Sequence, residues 1–238
     1  MGRLGEWDRR GRQTTARARL TLLNVTYDWA EGGPRRVLAV GAHCDDIEIG
    51  CGGTMLRLAD THPGLEVCWI VLSAQAERGR EARASAGAFL AGVERPTVML
   101  EQFRDGFFPS LSRDIKEFFE TVKARFAPDL VFTHYRHDLH QDHRLIAELT
   151  WNTFRNHLVL EYEVPKYDGD LGSPNFFVEL SEETCRRKAA LLIASFPSQR
   201  DRHWFTEDVF LSLSRLRGME AHSSTRFAEA FYGRKVVM

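Results

Sequence analysis

The sequence predicts an α/β fold, a single domain built on a Rossmann-like, mostly parallel sheet with helices on both faces. Three observations predict it. Short apolar runs such as Val37-Leu38-Ala39-Val40 lack polar alternation, the mark of strands buried on both faces. Segments of helical spacing separate these runs from residue 37 to about 157, as parallel strands require. The two segments densest in His and Asp each begin where a predicted strand ends, where ligands bind in such sheets.

Gly32-Gly33-Pro34 breaks the chain ahead of the first strand, residues 37–41. A helix follows through Met55, Leu56, Leu58 and Ala59 and stops near His62-Pro63-Gly64. Residues 67–72 form the next apolar strand, 77–90 an Ala- and Arg-rich helix, and 97–100 a short strand. Ile115, Phe118, Phe119 and Val122 give residues 112–126 helical spacing. Pro128-Asp129 leads into the strand Leu130-Val131-Phe132, and a helix is expected from about 141 to 157. Beyond 157 the segments shorten: a strand at 176–180, a helix at 182–194, a polar and aromatic stretch at 196–205, and a closing apolar run at 227–237. This portion is expected to complete the sheet and supply substrate loops, so the domain spans 35–238 after a basic arm, 1–34.

The 238 residues carry 27% charged side chains and a formal net charge of -1, so no global field points to nucleic acid or an anionic membrane. No apolar run approaches the roughly 18 residues of a membrane span. The arm holds Arg3, Arg9, Arg10, Arg12, Arg17 and Arg19 and has no signal-peptide apolar region; it is expected to be a solvated arm. Cys44, Cys51, Cys68 and Cys185 form no C-x-x-C pair, which with the missing export signal points to reduced thiols and a cytoplasmic protein.

The chemistry concentrates in two places. Gly41-Ala42-His43-Cys44-Asp45-Asp46-Ile47-Glu48 sets a His and two adjacent carboxylates at a strand end, where burial costs free energy unless a cation or strong donors compensate. Taken alone, a turn in which Asp45 or Asp46 caps the next helix explains it equally well. The second segment holds His134, His137, Asp138, His140, Asp142 and His143 within ten positions, imidazoles beside carboxylates that can fix their tautomers. Both segments can face one crevice, which favours a metal centre with an open position.

Residues 42–50 resemble the A-H-P-D-D-x-E-x-G signature of the LmbE/PIG-L family of zinc-dependent N-deacetylases. The run ending in Asp138-Leu139-His140-Gln141-Asp142-His143 is similar to that family's second signature, H-x-D-x-H-x-D-H, with His137 directly beside Asp138. The resemblance covers most of 36–157, and an echo returns at Ala228-Glu229-Ala230-Phe231. It implies His43, Asp46 and His143 as ligands of Zn2+, with iron, manganese or cobalt as alternatives for such a donor set. It further implies Asp45 as general base, His140 as oxyanion stabiliser or proton donor, and Asp142 as the group orienting the His140 imidazole. These roles suit amide hydrolysis, which needs an activated water, a stabilised oxyanion and a proton for the departing amine.

Candidate substrate contacts are Arg80, where related proteins carry a substrate-contacting Arg, Asp105 in the Asp105-Gly106 turn, and Arg136 between two histidines. Solvated charges or a simple turn account for these three as well. Cys44 stands where the family has Pro and is expected to pack behind the turn. The implied reaction removes an N-acyl group, most often acetyl, from an amino sugar or sugar conjugate through a zinc-activated water. Alternatives are an amidase acting on a non-sugar or thiol conjugate, and a non-catalytic carbohydrate- or nucleotide-binding module. The missing G-x-G-x-x-G turn argues against nucleotide binding. The expected partner is a small N-acetylated sugar, without nucleic acid or a membrane span; family tendency and the apolar C-terminal end suggest a homo-oligomer.

Overall fold

Val37 and Ala39 project to one face of the central strand and Leu38 and Val40 to the other, all fully buried. A pleated strand sends successive side chains to opposite faces, so this strand is apolar throughout because both faces are covered. The computed structural model describes residues 35–236; the basic arm 1–34 and residues 237–238 lie outside it.

Among the described residues the order is β1 (Arg36–Gly41), α1 (Asp46–Thr61), β2 (Glu66–Val71), α2 (Ala76–Phe89), β3 (Arg95–Leu100), α3 (Ser112–Arg125), β4 (Leu130–His134), α4 (Gln141–Thr153), β5 (Leu158–Tyr162), β6 (Phe176–Leu180), α5 (Glu182–Ser195), α6 (Glu207–Glu220) and β7 (Phe227–Gly233), with short 3-10 turns at Phe108–Leu111 and Pro197–Gln199. The seven strands form one sheet in the order β3-β2-β1-β4-β5-β7-β6. β1 to β5 are parallel, and β7 runs antiparallel between β5 and β6. One core layer packs α1, α2, α5 and α6 on the sheet, and the other packs α3 and α4. The fold is a single α/β domain with a mostly parallel sheet and helices on both faces.

The chain winds outward from β1 to β3, then crosses through α3 to the other side of β1. Strand order therefore reverses between β1 and β4, the place beyond the carboxyl ends where ligands bind in sheets of this kind. The two His- and Asp-rich segments follow these two strands.

Three elements differ from the sequence reading. α4 ends at Thr153, not near 157, because Phe154 leaves helical geometry and turns the chain into β5. β5 was not foreseen: its Glu161 interrupts the apolar run, yet is fully buried because Trp151 Nε1, the Arg136 amide and Arg234 all donate to it. α6 was not foreseen either, since its buried side carries Ser214 and Arg217, the latter neutralised by Glu163 at 2.8 Å. The apolar C-terminal run forms β7, paired on both edges by β5 and β6. No helix among the described residues is long and apolar enough to cross a membrane.

Candidate metal centre

The ends of β1 and β4 are stitched by the Ala42 amide, which donates to His134 Nε2 at 2.9 Å. The chain after β1 then turns sharply, closed by the His43 amide donating to Asp46 Oδ2 at 2.6 Å. This turn aims Asp46, in the first turn of α1, at a group of imidazoles. Its carboxylate oxygens lie 3.3 Å from His43 Nδ1, 3.2 Å from His134 Nε2 and 3.5 Å from His143 Nε2. His43 Nδ1 and His143 Nε2 are themselves 3.1 Å apart. Burial alone would raise the Asp46 carboxyl, but His143, His134 and His43 outweigh it and hold the group well below the usual carboxylate range.

His143 is oriented from behind. Asp138 Oδ2 lies 2.9 Å from His143 Nδ1, which fixes the proton there and leaves the Nε2 lone pair facing Asp46. Burial and the neighbouring His134 push the His143 imidazole down to about 4, so it stays neutral. Lys166 Nζ donates to the same Asp138 oxygen at 2.9 Å and to Asp170 at 2.6 Å, tying the segment after β5 to the centre. Around His43, Asp105 Oδ1 stands 3.0 Å and Asp142 Oδ2 3.4 Å from Nε2.

Asp45 sits beside this cluster, buried, with Oδ1 receiving Arg78 Nη2 at 2.9 Å and Oδ2 without a hydrogen-bond partner. Burial raises its carboxyl, with Arg78 opposing. Arg78 is delivered by the first turn of α2, which begins at Ala76 in the left-handed region (φ 47), a strained start for a non-glycine residue. His140 caps α4: its Nδ1 accepts the Asp142 amide at 3.3 Å, placing its proton on Nε2. Its ring centroid is 4.9 Å from that of His43.

The structure thus brings together His43, Asp46, His143, Asp45, His140, Asp142 and Asp105. It assigns Asp142 differently from the sequence reading. Its carboxylate does not orient the His140 ring, because it is engaged by the amides of Gly106 at 2.7 Å and Phe108 at 3.1 Å, and so holds the Asp105 loop against His43. Arg80 is exposed on α2, and Arg78, two positions earlier, faces Asp45. Arg136 is exposed and leans over the Trp151 ring at 5.7 Å, while its amide serves Glu161. Cys44 packs behind the turn, donating to Ser73 O at 3.3 Å, and burial pushes its thiol up to about 11. The sequence reading assigned no role to Arg78, His134 or Lys166. Arg78 follows the charge logic of a cation needed beside Asp45, whereas Lys166 had no local signal.

The donor set fits a divalent metal. With bonds of about 2.0–2.2 Å, tetrahedral ligands of zinc stand roughly 3.3–3.5 Å apart. His43 Nδ1 and His143 Nε2, 3.1 Å apart, are near the edge length of such a tetrahedron, and the Asp46 carboxylate approaches both, Oδ2 at 3.3 Å from the first and Oδ1 at 3.5 Å from the second. Among the described residues, the groups whose ligand atoms lie close enough together to hold an ion are His43, His140 and His143, then Asp46, His134 and His143, and then His43, Asp105 and Asp142. Asp46, Asp105 and Asp142 together hold His43 well above its ordinary pKa against burial, a surplus of negative charge that a cation would neutralise.

Fold and site together define an α/β protein with a cluster of His and Asp side chains, able to hold a cation, at its topological switch point. Residues 38–154 match the family model described as PIG-L, GlcNAc-PI de-N-acetylase, so the chain carries a domain of the PIG-L (LmbE-like) family. The fold is similar to that of N,N'-diacetylchitobiose deacetylase from Pyrococcus horikoshii, with 19% identity, a TM-score of 0.63 and 84% of each chain covered. The conserved protein TT1542 from Thermus thermophilus is 20% identical, with a TM-score of 0.66 over 85% of this chain and 95% of that one. GalB, the 4-carboxy-2-hydroxymuconate hydratase from Pseudomonas putida, is 16% identical, with a TM-score of 0.65 over 86% and 98%. A fold that serves both a deacetylase and a hydratase does not by itself decide the reaction.

Proposed function

We propose that this protein is a zinc-dependent N-deacetylase that hydrolyses the N-acetyl amide of an amino sugar or sugar conjugate. The observation that carries the reading is Asp45: one carboxylate oxygen is held by Arg78, and the other is buried and unpartnered beside the His43–Asp46–His143 cluster. That free oxygen is suited to take a proton from an attacking water and to pass it to the departing amine nitrogen.

His43, Asp46 and His143 are the residues that would hold the metal. Bound zinc supplies Lewis acidity, lowering the pKa of water toward 7 and polarising the amide carbonyl. His140, with its proton on Nε2, offers a neutral donor to the carbonyl oxygen as negative charge develops there. Asp142 keeps the 105–108 loop closed against His43, so that Asp105 lines the mouth of the centre. The PIG-L description and the diacetylchitobiose activity in the Pyrococcus protein's name support an N-acetylated sugar as substrate.

The test is acetate release from a panel of N-acetylated sugars and glycosides, with added zinc and with chelator. Asp45→Asn is expected to lose roughly 100-fold or more of the rate while retaining zinc. His143→Ala is expected to lose the zinc itself. Near-normal turnover by Asp45→Asn would overturn the mechanism. Release of an acyl group only from non-sugar amides would favour the amidase reading.

A further inference from the structure

Helix α1 is broken. In its middle, Cys51 (φ -140, ψ 15) leaves helical geometry, so a single turn, 46–50, precedes a longer second segment. A break strands carbonyls at the end of the first segment and amides at the start of the second. Two distant side chains meet these groups. Lys188 Nζ, from α5, donates to Ile49 O at 2.6 Å. Glu229, from β7, accepts the Gly53 amide at 2.8 Å, and the Thr54 amide and Thr54 Oγ1 at 2.6 Å each. The two are paired at 2.7 Å and both are buried. A cation thus sits at the negative end of the first segment and an anion at the positive start of the second.

The break is also tightly enclosed. A Cβ on Gly50 would collide with the Tyr162 ring, one on Gly52 would lie 2.7 Å from Phe89, and one on Gly53 2.5 Å from Leu180. Tyr162 in turn donates to Val40 O at 2.7 Å and lies 3.3 Å from His134 Nε2. The short first segment carries Asp46 and follows directly on Asp45. One turn has too few internal hydrogen bonds to hold its own direction, so that direction is set by whatever secures the break.

We propose that Lys188 and Glu229 are positioning residues that splice the broken helix and aim Asp45 and Asp46 into the centre. This rests on reading the cluster as a metal site. A buried ion pair could instead contribute only to stability, which is the reading to be separated.

The experiment measures zinc affinity of the full chain by chelator competition, well below the unfolding temperature, together with the visible spectrum of the cobalt-loaded protein and thermal unfolding. Glu229→Gln is expected to weaken zinc binding by the folded protein about tenfold or more, as removal of an outer support typically does, and to alter the cobalt spectrum. Thr54→Val, which keeps the ion pair and folds if Glu229→Gln does not, is expected to weaken it severalfold, with Thr54→Ser restoring it. If Glu229→Gln and Thr54→Val unfold earlier but bind zinc within twofold of the parent with an unchanged spectrum, the pair is merely structural and the inference fails. If the parent chain itself binds no zinc, the metal reading fails first.

Discussion

One oxygen of Asp138 lies 2.9 Å from His143 Nδ1 and 2.9 Å from Lys166 Nζ, so a single carboxylate fixes the tautomer of an inner imidazole and anchors the segment beyond β5. Its other oxygen accepts the His140 amide at 2.8 Å, which sets the start of α4. Removing it frees both rings from one support. Asp138→Ala is expected to raise the zinc dissociation constant by roughly 10–100-fold, measured by chelator competition. A change of less than twofold would show that His143 holds its orientation by packing alone.

Arg78 and Arg80 stand two positions apart on α2 and are expected to behave very differently. Arg78 holds Asp45 Oδ1 at 2.9 Å, while Arg80 is exposed to solvent. Arg78→Ala leaves the Asp45 carboxylate, the proposed base, buried without its cation, which raises it further and loosens its aim. A fall in kcat of roughly 10-fold or more is expected, with Arg80→Ala within about twofold of the parent enzyme. The reverse ranking in acetate-release kinetics would return the substrate-contact role to Arg80.

The difference between these arginines shows what could be read from sequence. Strands 37–41 and 67–72 were legible because continuous apolar runs have one physical explanation, burial on both faces. The choice of His43, Asp46 and His143 came from the resemblance to the two LmbE/PIG-L signatures, since the residues alone left a helix-capping turn equally open. Which of two arginines faces Asp45 depends on the phase of α2, set by the left-handed Ala76, and no periodicity encodes that. β5 and α6 were hidden for a related reason: Glu161 and Arg217 are buried charges neutralised by partners far away in the chain, so the apolar pattern is broken where the fold is not. α6 nevertheless had a local signal in Thr206-Glu207-Asp208, a capping hydroxyl followed by acids in the first turn.

The four cysteines are free and buried. Burial pushes the Cys68 and Cys185 thiols up to about 11 and raises Cys51 well above its ordinary value. A free thiol near 8.5 is about one-quarter ionised at pH 8, and one near 11 about a thousandth. A disulfide reagent at pH 8 is therefore expected to leave the native protein almost unlabelled and to titrate four thiols per chain after denaturation. The sign of the pH effect follows. The unfolded chain loses these protons first, so stability is complete below about 8.5 and declines as pH rises toward 11. Unfolding midpoints at pH 8 and pH 10 check this, and a midpoint that rises would contradict it.

Phe107, Leu139, Tyr167 and Leu171 are exposed, and each is the chain neighbour of a residue bonded into the centre or its supports. Phe107 lies between the two amides that hold Asp142, and Leu139 precedes His140. Tyr167 follows Lys166 and Leu171 follows Asp170, whose carboxylate accepts the Leu139 amide at 2.7 Å. Apolar side chains left in water around a polar centre gain by covering an apolar part of the substrate, at about 25 cal/mol per Å2. They do not touch the bond that breaks, so their effect belongs to binding rather than to the chemical step. Leu139→Ser/Tyr167→Ser is therefore expected to raise KM severalfold for an N-acetylated glycoside with an apolar aglycone, with kcat unchanged and KM for the aglycone-free sugar unmoved. Equal KM changes for the two substrates would mean that the rim shapes the centre as a whole, and a fall in kcat would place these side chains in the machinery instead.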